Sequence, residues 1–130
     1  MQKIWVSLVW IGIGSIFGAA LRYLTTLAAQ RYSLSFPYGT LTANWAGCFL
    51  IGCLTTLSAE TGVLTSEVRL LLVTGFCGSF TTLSSMVYEL SQFVETQEFW
   101  LAGMYWGITF FGAFVWFYLG GILIKLLLRL

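Results

Sequence analysis

The sequence predicts an all-α membrane protein, with four transmembrane helices in a single domain over residues 1–130 and the third helix broken near its middle. Three observations carry that prediction. Hydrophobic residues make up 58% of the chain and charged residues 8%, where soluble domains carry about 25% charged residues. Four apolar runs are long enough to cross a bilayer, which takes about 20 residues. Finally, Thr74-Gly-Phe-Cys-Gly-Ser-Phe-Thr-Thr-Leu-Ser-Ser85 interrupts the third run between Leu70–Val73 and Met86–Val87, where a span should be most apolar.

The first run extends from Ile4 to about Leu27 and is interrupted only by Arg22. Met1-Gln-Lys3 ahead of Ile4–Ala20 has the outline of a signal peptide. It is read here as retained and counted as a span. The second run, about Thr40 to Leu57, follows the turn signal Phe36-Pro37-Tyr38-Gly39. The third is roughly Val68 to Val94. The fourth runs from Phe99 to about Leu123, and Lys125 and Arg129 mark its exit. Short loops hold Arg31, Glu60, Glu67, Arg69, Glu95 and Glu98. An even number of spans puts both termini on one side. That side carries Lys3, Arg69, Lys125 and Arg129 against Arg22 and Arg31 opposite, which favours cytoplasmic termini.

Within the third run, Gly75 and Gly78 weaken a helix by about 1 kcal/mol each relative to Ala. Thr74, Ser79, Thr81, Thr82, Ser84 and Ser85 add hydroxyls. In hydrocarbon every backbone polar group needs a partner, so a helix opens only where protein or water covers it. An interruption around Gly78–Thr81 frees carbonyls and N–H groups of the kind with which channels and transporters hold ions. The competing reading is that the glycines only let another helix approach. Small-residue pairs recur as Gly14/Gly18, Ala43/Gly47 and Gly103/Gly107. Four spans enclose little interior, so this set reads as a sign of dimerisation.

Other polar residues lie within the spans. Asn44, flanked by Thr40 and Thr42, either hydrogen-bonds a neighbouring helix or donates its NH₂ to an anion along an entry lined by hydroxyls. Arg22 either snorkels to the interface or sets a positive potential at the mouth of an anion path. Glu89 pairs or snorkels. Tyr105 and Thr109 share a face of the fourth span, while Trp5, Trp10, Trp100 and Tyr118 suit the interface. Cys48, Cys53 and Cys77 read as free thiols. Histidine and aspartate are absent, which leaves little for a hydrolase, a His-ligated metal or a His proton relay. A net charge of +1 gives no case for nucleic acid.

Two motifs then resemble the Fluc (CrcB) fluoride channels: Gly39-Thr-Leu-Thr-Ala-Asn44 in the second span and Thr74-Gly-Phe-Cys-Gly-Ser-Phe-Thr-Thr82 in the third. Arg22 in Ala20-Leu-Arg-Tyr23, Glu89 and Tyr105 extend the likeness over all four spans. The resemblance implies a passive fluoride-selective channel that lowers cytoplasmic fluoride. It also implies an antiparallel, dual-topology dimer in the cell membrane with two narrow pores. A sodium ion is implied at the dimer centre, on the backbone carbonyls of Gly78 and Thr81. The pore-facing asparagine falls on Asn44. Thr40, Thr42, Thr82, Leu83, Ser84, Ser85, Met86, Tyr105 and Thr109 fall along the anion path, and Arg22 falls in the vestibule.

The chain departs from that pattern. Leu83 and Met86 stand where the family has two phenylalanines, Ser79 where it has a second glycine, and Ala113 and Phe117 where it has Ser and Thr. Leu and Met offer neither a positive ring edge nor a donor to an anion. One expectation is a heterodimer with an oppositely inserted, Phe-bearing relative; the other is a homodimer whose pores tolerate Leu and Met. Outside the family, the competitors are a dual-topology drug/proton antiporter, which needs a carboxylate inside the membrane, and a non-conducting assembly subunit. No acid–base or nucleophile–base pair suggests an enzyme.

Overall fold

The computed structural model describes residues 2–33 and 35–130; Met1, the first residue of the leader-like segment, lies outside them. The described residues form α1 (Gln2–Gln30), α2 (Tyr38–Thr61), α3 (Ser66–Arg69), a π-helical segment (Leu70–Cys77), α4 (Gly78–Phe80), α5 (Leu83–Glu95) and α6 (Phe99–Leu127). Elements from α3 to α5 follow one another as a single span. Four spans are therefore long and apolar enough to cross a membrane: Lys3–Gln30, Tyr38–Thr61, Ser66–Glu95 and Phe99–Leu127. Each outruns its apolar stretch by a few residues, because the backbone stays helical into the interfacial zone. The molecule is a multi-pass membrane protein.

The turns follow local rules. Pro37 precedes α2 and offers its carbonyl to Leu41 N–H at 3.2 Å. α2 ends on Gly62 with φ 63°, and the Gly62 N–H returns to Ser58 O; only glycine takes that left-handed cap without strain. The Thr65 side chain then accepts from Val68 N–H and starts α3.

The spans pack as two parallel pairs. α1 lies against the π-helical segment at backbone distance: a Cβ on Gly14 would stand 2.0 Å from Leu71 O, and one on Gly18 2.2 Å from Phe76 O. α2 and α6 meet the same way through Gly52, 2.0 Å from Phe117 O, and Gly120, 2.2 Å from Phe49 O. An exposed Lys125–Glu60 pair at 3.8 Å joins their ends. This corrects the reading of the small-residue pairs as dimer contacts. Gly14, Gly18 and Gly47 are used up inside the chain, Gly47 against the Thr81 methyl. Of these pairs only Gly103 and Gly107 face open space.

A small core at the loop end comprises Leu41, Met86, Phe93, Ala102 and Tyr105, with Phe36 and Trp45 packed on it. Phe36 meets Tyr105 edge-on at 5.5 Å. This core fixes α5 against α2 and α6, and so fixes everything the α5 N-terminus presents.

Candidate functional site

The third span does break. α4 stops at Phe80; Thr81 (φ −80°, ψ 154°) and Thr82 (φ −152°, ψ 121°) are extended, and α5 restarts at Leu83. The interruption was expected around Gly78–Thr81 on account of its glycines, but Gly75 and Gly78 sit inside helical turns. Gly75 serves close approach instead, since a Cβ there would stand 2.6 Å from Ile11 O. Competing hydrogen bonds define the break itself. Thr81 sends both its N–H and its hydroxyl to Cys77 O, each at 2.9 Å. Asn44 of α2 then grips Thr82 with both ends of its amide, Oδ1 accepting from Thr82 N–H at 2.7 Å and Nδ2 donating to Thr82 O at 3.1 Å. The Thr82 hydroxyl caps α5 by accepting from Ser85 N–H at 3.2 Å, and it touches Ser84 Oγ and Ser85 Oγ at 3.2 and 3.1 Å.

The break takes the helical donors from four carbonyls, Gly78 to Thr81, and these bonds account for the first and the last. In a continuous helix Gly78 O would accept from Thr82 N–H and Thr81 O from Ser85 N–H. Asn44 holds the first of those donors and the Thr82 hydroxyl holds the second. Ser79 O, between them, is taken by the Arg22 Nε–H at 3.1 Å. Gly78 is exposed, and a mid-span carbonyl without its donor requires cover from protein or an ion. Oxygen donors of this kind, with no carboxylate among them, suit a hard monovalent cation.

On the loop side of the break lies a polar cleft of about 520 Å³, lined by Arg22, Thr26, Thr40, Ser84, Ser85, Tyr88 and Glu89. It shares Thr26, Thr40, Tyr88 and Glu89 with a mouth cavity of about 340 Å³ that reaches Gln30, Ser33 and Gln92. Glu89 is the hub of the cleft. Thr40 Oγ1 donates to Glu89 Oε1 at 2.5 Å and the Tyr105 hydroxyl donates to Oε2 at 2.6 Å, tying α2, α5 and α6 together. Bonds to a charged acceptor are worth about 1.5–3 kcal/mol each.

Arg22, Thr40, Ser84, Ser85 and Tyr105 therefore gather at this cleft or on its hub, and Thr82 and Asn44 hold the break beside it. The remaining residues expected along the path lie elsewhere in the chain. Thr42 points the other way, into an apolar recess with Trp45, Ala46, Phe49 and Trp116. Met86 is in the core, and Leu83 projects outward at 73% exposure. Thr109 is buried, and its hydroxyl has no hydrogen-bond partner among the described residues. Glu89, Tyr88 and Thr26 are the cleft residues missing from the sequence-based path. Their signal in the sequence is weak: Glu89 is the one carboxylate well inside a span, but nothing in the chain says that Thr40 and Tyr105 converge on it.

Residues 9–121 match the family described as CrcB-like protein, Camphor Resistance (CrcB). The chain is 42% identical over 120 residues to the fluoride-specific ion channel FluC of Prosthecochloris aestuarii (strain DSM 271 / SK 413), covering 92% of this chain and 94% of that one. It is 39% identical over 126 residues to FluC of Chlorobium phaeobacteroides (strain BS1), covering 97% and 98%. It is 43% identical over 101 residues to FluC of Roseiflexus sp. (strain RS-1), covering 77% and 82%. With four membrane spans, a third span opened at Thr81–Thr82 and a family match across nearly its whole length, the chain belongs to the CrcB family.

Proposed function

We propose that the chain is a subunit of a fluoride-selective passive channel that exports fluoride across the cell membrane and lowers its cytoplasmic toxicity. The carrying observation is the mid-span break opening onto a donor-lined cleft, in a chain whose close relatives are named fluoride-specific ion channels. Fluoride is compact and strongly hydrated, so a path for it must replace water with good donors. Arg22 supplies positive potential at the cleft. Ser84, Ser85 and Thr82 supply hydroxyls, and Asn44 has a second amide N–H beyond the one on Thr82. The Thr40 and Tyr105 protons are committed to Glu89, so these two residues fix the wall of the cleft more than they solvate the ion. Conduction breaks no covalent bond, and no catalytic role is assigned.

The working unit on this reading is an antiparallel, dual-topology dimer with a sodium ion at its centre. The Gly78 and Thr81 carbonyls would hold that ion, which when bound supplies fixed positive charge and a cross-link between subunits. What supports this is the loss of both carbonyls' helical donors and the exposure of Gly78 at mid-membrane. The second subunit on this reading is a related chain with Phe at the positions of Leu83 and Met86, because those two side chains give an anion nothing to bind. The test is fluoride efflux from liposomes. The chain alone should release fluoride slowly, and the Leu83→Phe/Met86→Phe variant at least about tenfold faster, a change worth about 1.4 kcal/mol in barrier. Fast efflux through the unaltered chain alone would sink the two-subunit proposal and leave the homodimer.

Glu89 favours one second reading, since a drug/proton antiporter needs an embedded carboxylate. That reading predicts export of a cationic drug that Glu89→Gln abolishes. The channel reading predicts no such export from either form.

A further inference from the structure

Among the described residues the Arg22 side chain makes one hydrogen bond, and it does not go to a carboxylate. Its Nε–H donates to Ser79 O at 3.1 Å across from α1 to α4. The acceptor is one of four successive carbonyls, Gly78 to Thr81, whose helical donors the break removes. Four backbone groups around the break are therefore held from outside the third span or by its own hydroxyls: Ser79 O by Arg22, Thr82 N–H and O by Asn44, and Ser85 N–H by Thr82 Oγ1. Arg22 also lines the cleft, with Ser84, Ser85 and Glu89.

We infer that Arg22 is a positioning residue of the break. Its Nε–H, and not its charge, holds the Ser79 carbonyl and so keeps the α4 terminus in place. Arg22 takes Ser79 O out of competition for a cation, so that the Gly78 and Thr81 carbonyls assigned to it have one rival fewer, a consequence that rests on the sodium reading above. A guanidinium anchored by its Nε on a backbone carbonyl also has its outer nitrogens aimed by that same bond. The wall of the cleft and the break thus share one side chain. Supplying potential at the cleft, which Arg22 also does, needs no fixed acceptor and would be served equally well by Lys; the bond to Ser79 O is what the guanidinium adds.

Two substitutions separate donor from charge. Arg22→Gln puts an amide nitrogen at the same number of bonds from the backbone as Nε, and so keeps the donor while removing the charge. Arg22→Lys keeps the charge and puts a methylene at that position. The measurement is hydrogen exchange of the purified protein in nanodiscs, first without sodium. A peptide covering Thr81–Ser84 reports the break, and peptides from Leu54–Ser58 serve as a remote control. The expected result is wild-type exchange at the break in Arg22→Gln and about tenfold faster exchange there in Arg22→Lys, the scale of one lost hydrogen bond, with the remote peptides unchanged in both.

A sodium titration at constant ionic strength, read by thermal stability, gives the second readout. The half-saturating sodium concentration should stay near wild type in Arg22→Gln and rise about tenfold in Arg22→Lys. Fast exchange in Arg22→Gln, wild-type exchange in Arg22→Lys, or acceleration spread to the remote peptides would each overturn the inference. No sodium response in the wild type would instead remove the central-cation reading, and the exchange comparison would still decide the role of Arg22.

Discussion

Asn44 shows how one side chain can hold a broken helix. Its Oδ1 replaces the bond that the Thr82 N–H loses on leaving the helix, at 2.7 Å, and its Nδ2 adds a donor to Thr82 O at 3.1 Å. Asn44→Ala leaves the half-buried Thr82 N–H without its partner, a cost of about 1–3 kcal/mol. The expected outcome is a lower unfolding temperature together with loss of fluoride efflux; a stable, conducting Asn44→Ala variant would show that the amide is dispensable. Tyr105→Phe is milder. It removes one of the two hydroxyl donors on Glu89 and keeps the ring packed on Phe36 and Phe93. Stability should fall by about 1.5–3 kcal/mol, with efflux reduced and not abolished, as read by thermal denaturation and a fluoride electrode. Asn44, Thr40 and Tyr105 could be read in the sequence as polar residues at membrane depth. Their partners could not, because the contacts join positions 38, 49 and 16 apart and the sequence gives no register between helices.

At the scale of the element, the third span combines a π-helical stretch with a break. π-helix is rare and clusters at functional positions, and here it runs over Leu70–Cys77 directly before the interruption. The hydroxyl and glycine content of that stretch announced an irregular segment, and the break was legible to within a residue or two. Its cause was misread. The glycines lie in helical turns; Thr81 still makes the last helical bond, to Cys77 O, and the interruption forms at Thr82, whose N–H goes to Asn44 instead of Gly78 O. No periodicity in the sequence signals a wider helix, so the π-helical turn had no forewarning. The glycine pairs likewise declared close packing without naming the surface packed. Gly52→Val tests the surface found here. Its Cβ would collide with Phe117 O, and overpacking of that kind costs about 1–3 kcal/mol or more. The expected result is a thermally labile protein, whereas Gly103→Val, which meets open space within the chain, should leave the single subunit's fold intact and report only on contacts to a partner.

For the whole molecule, four spans and the family could be read directly, because hydropathy over 20 residues and two polar motifs survive without any tertiary information. Within the single chain, Leu83 faces outward, Met86 is in the core and Thr109 lies buried with no hydrogen-bond partner among the described residues, so these residues do not join Ser84 and Ser85 in one lined path. A second subunit crossing at the break would bring the exposed faces of two chains together, which is why the pore is the least legible part of this sequence. The proposal that a Phe-bearing relative supplies what Leu83 and Met86 lack makes conduction a property of the pair. The most direct measurement is therefore anion efflux from liposomes holding this chain reconstituted with its Leu83→Phe/Met86→Phe variant, loaded with fluoride in one set and chloride in another. The account predicts rapid release of fluoride with chloride retained; fluoride held as tightly as in protein-free liposomes, or chloride released at the same rate, would contradict it.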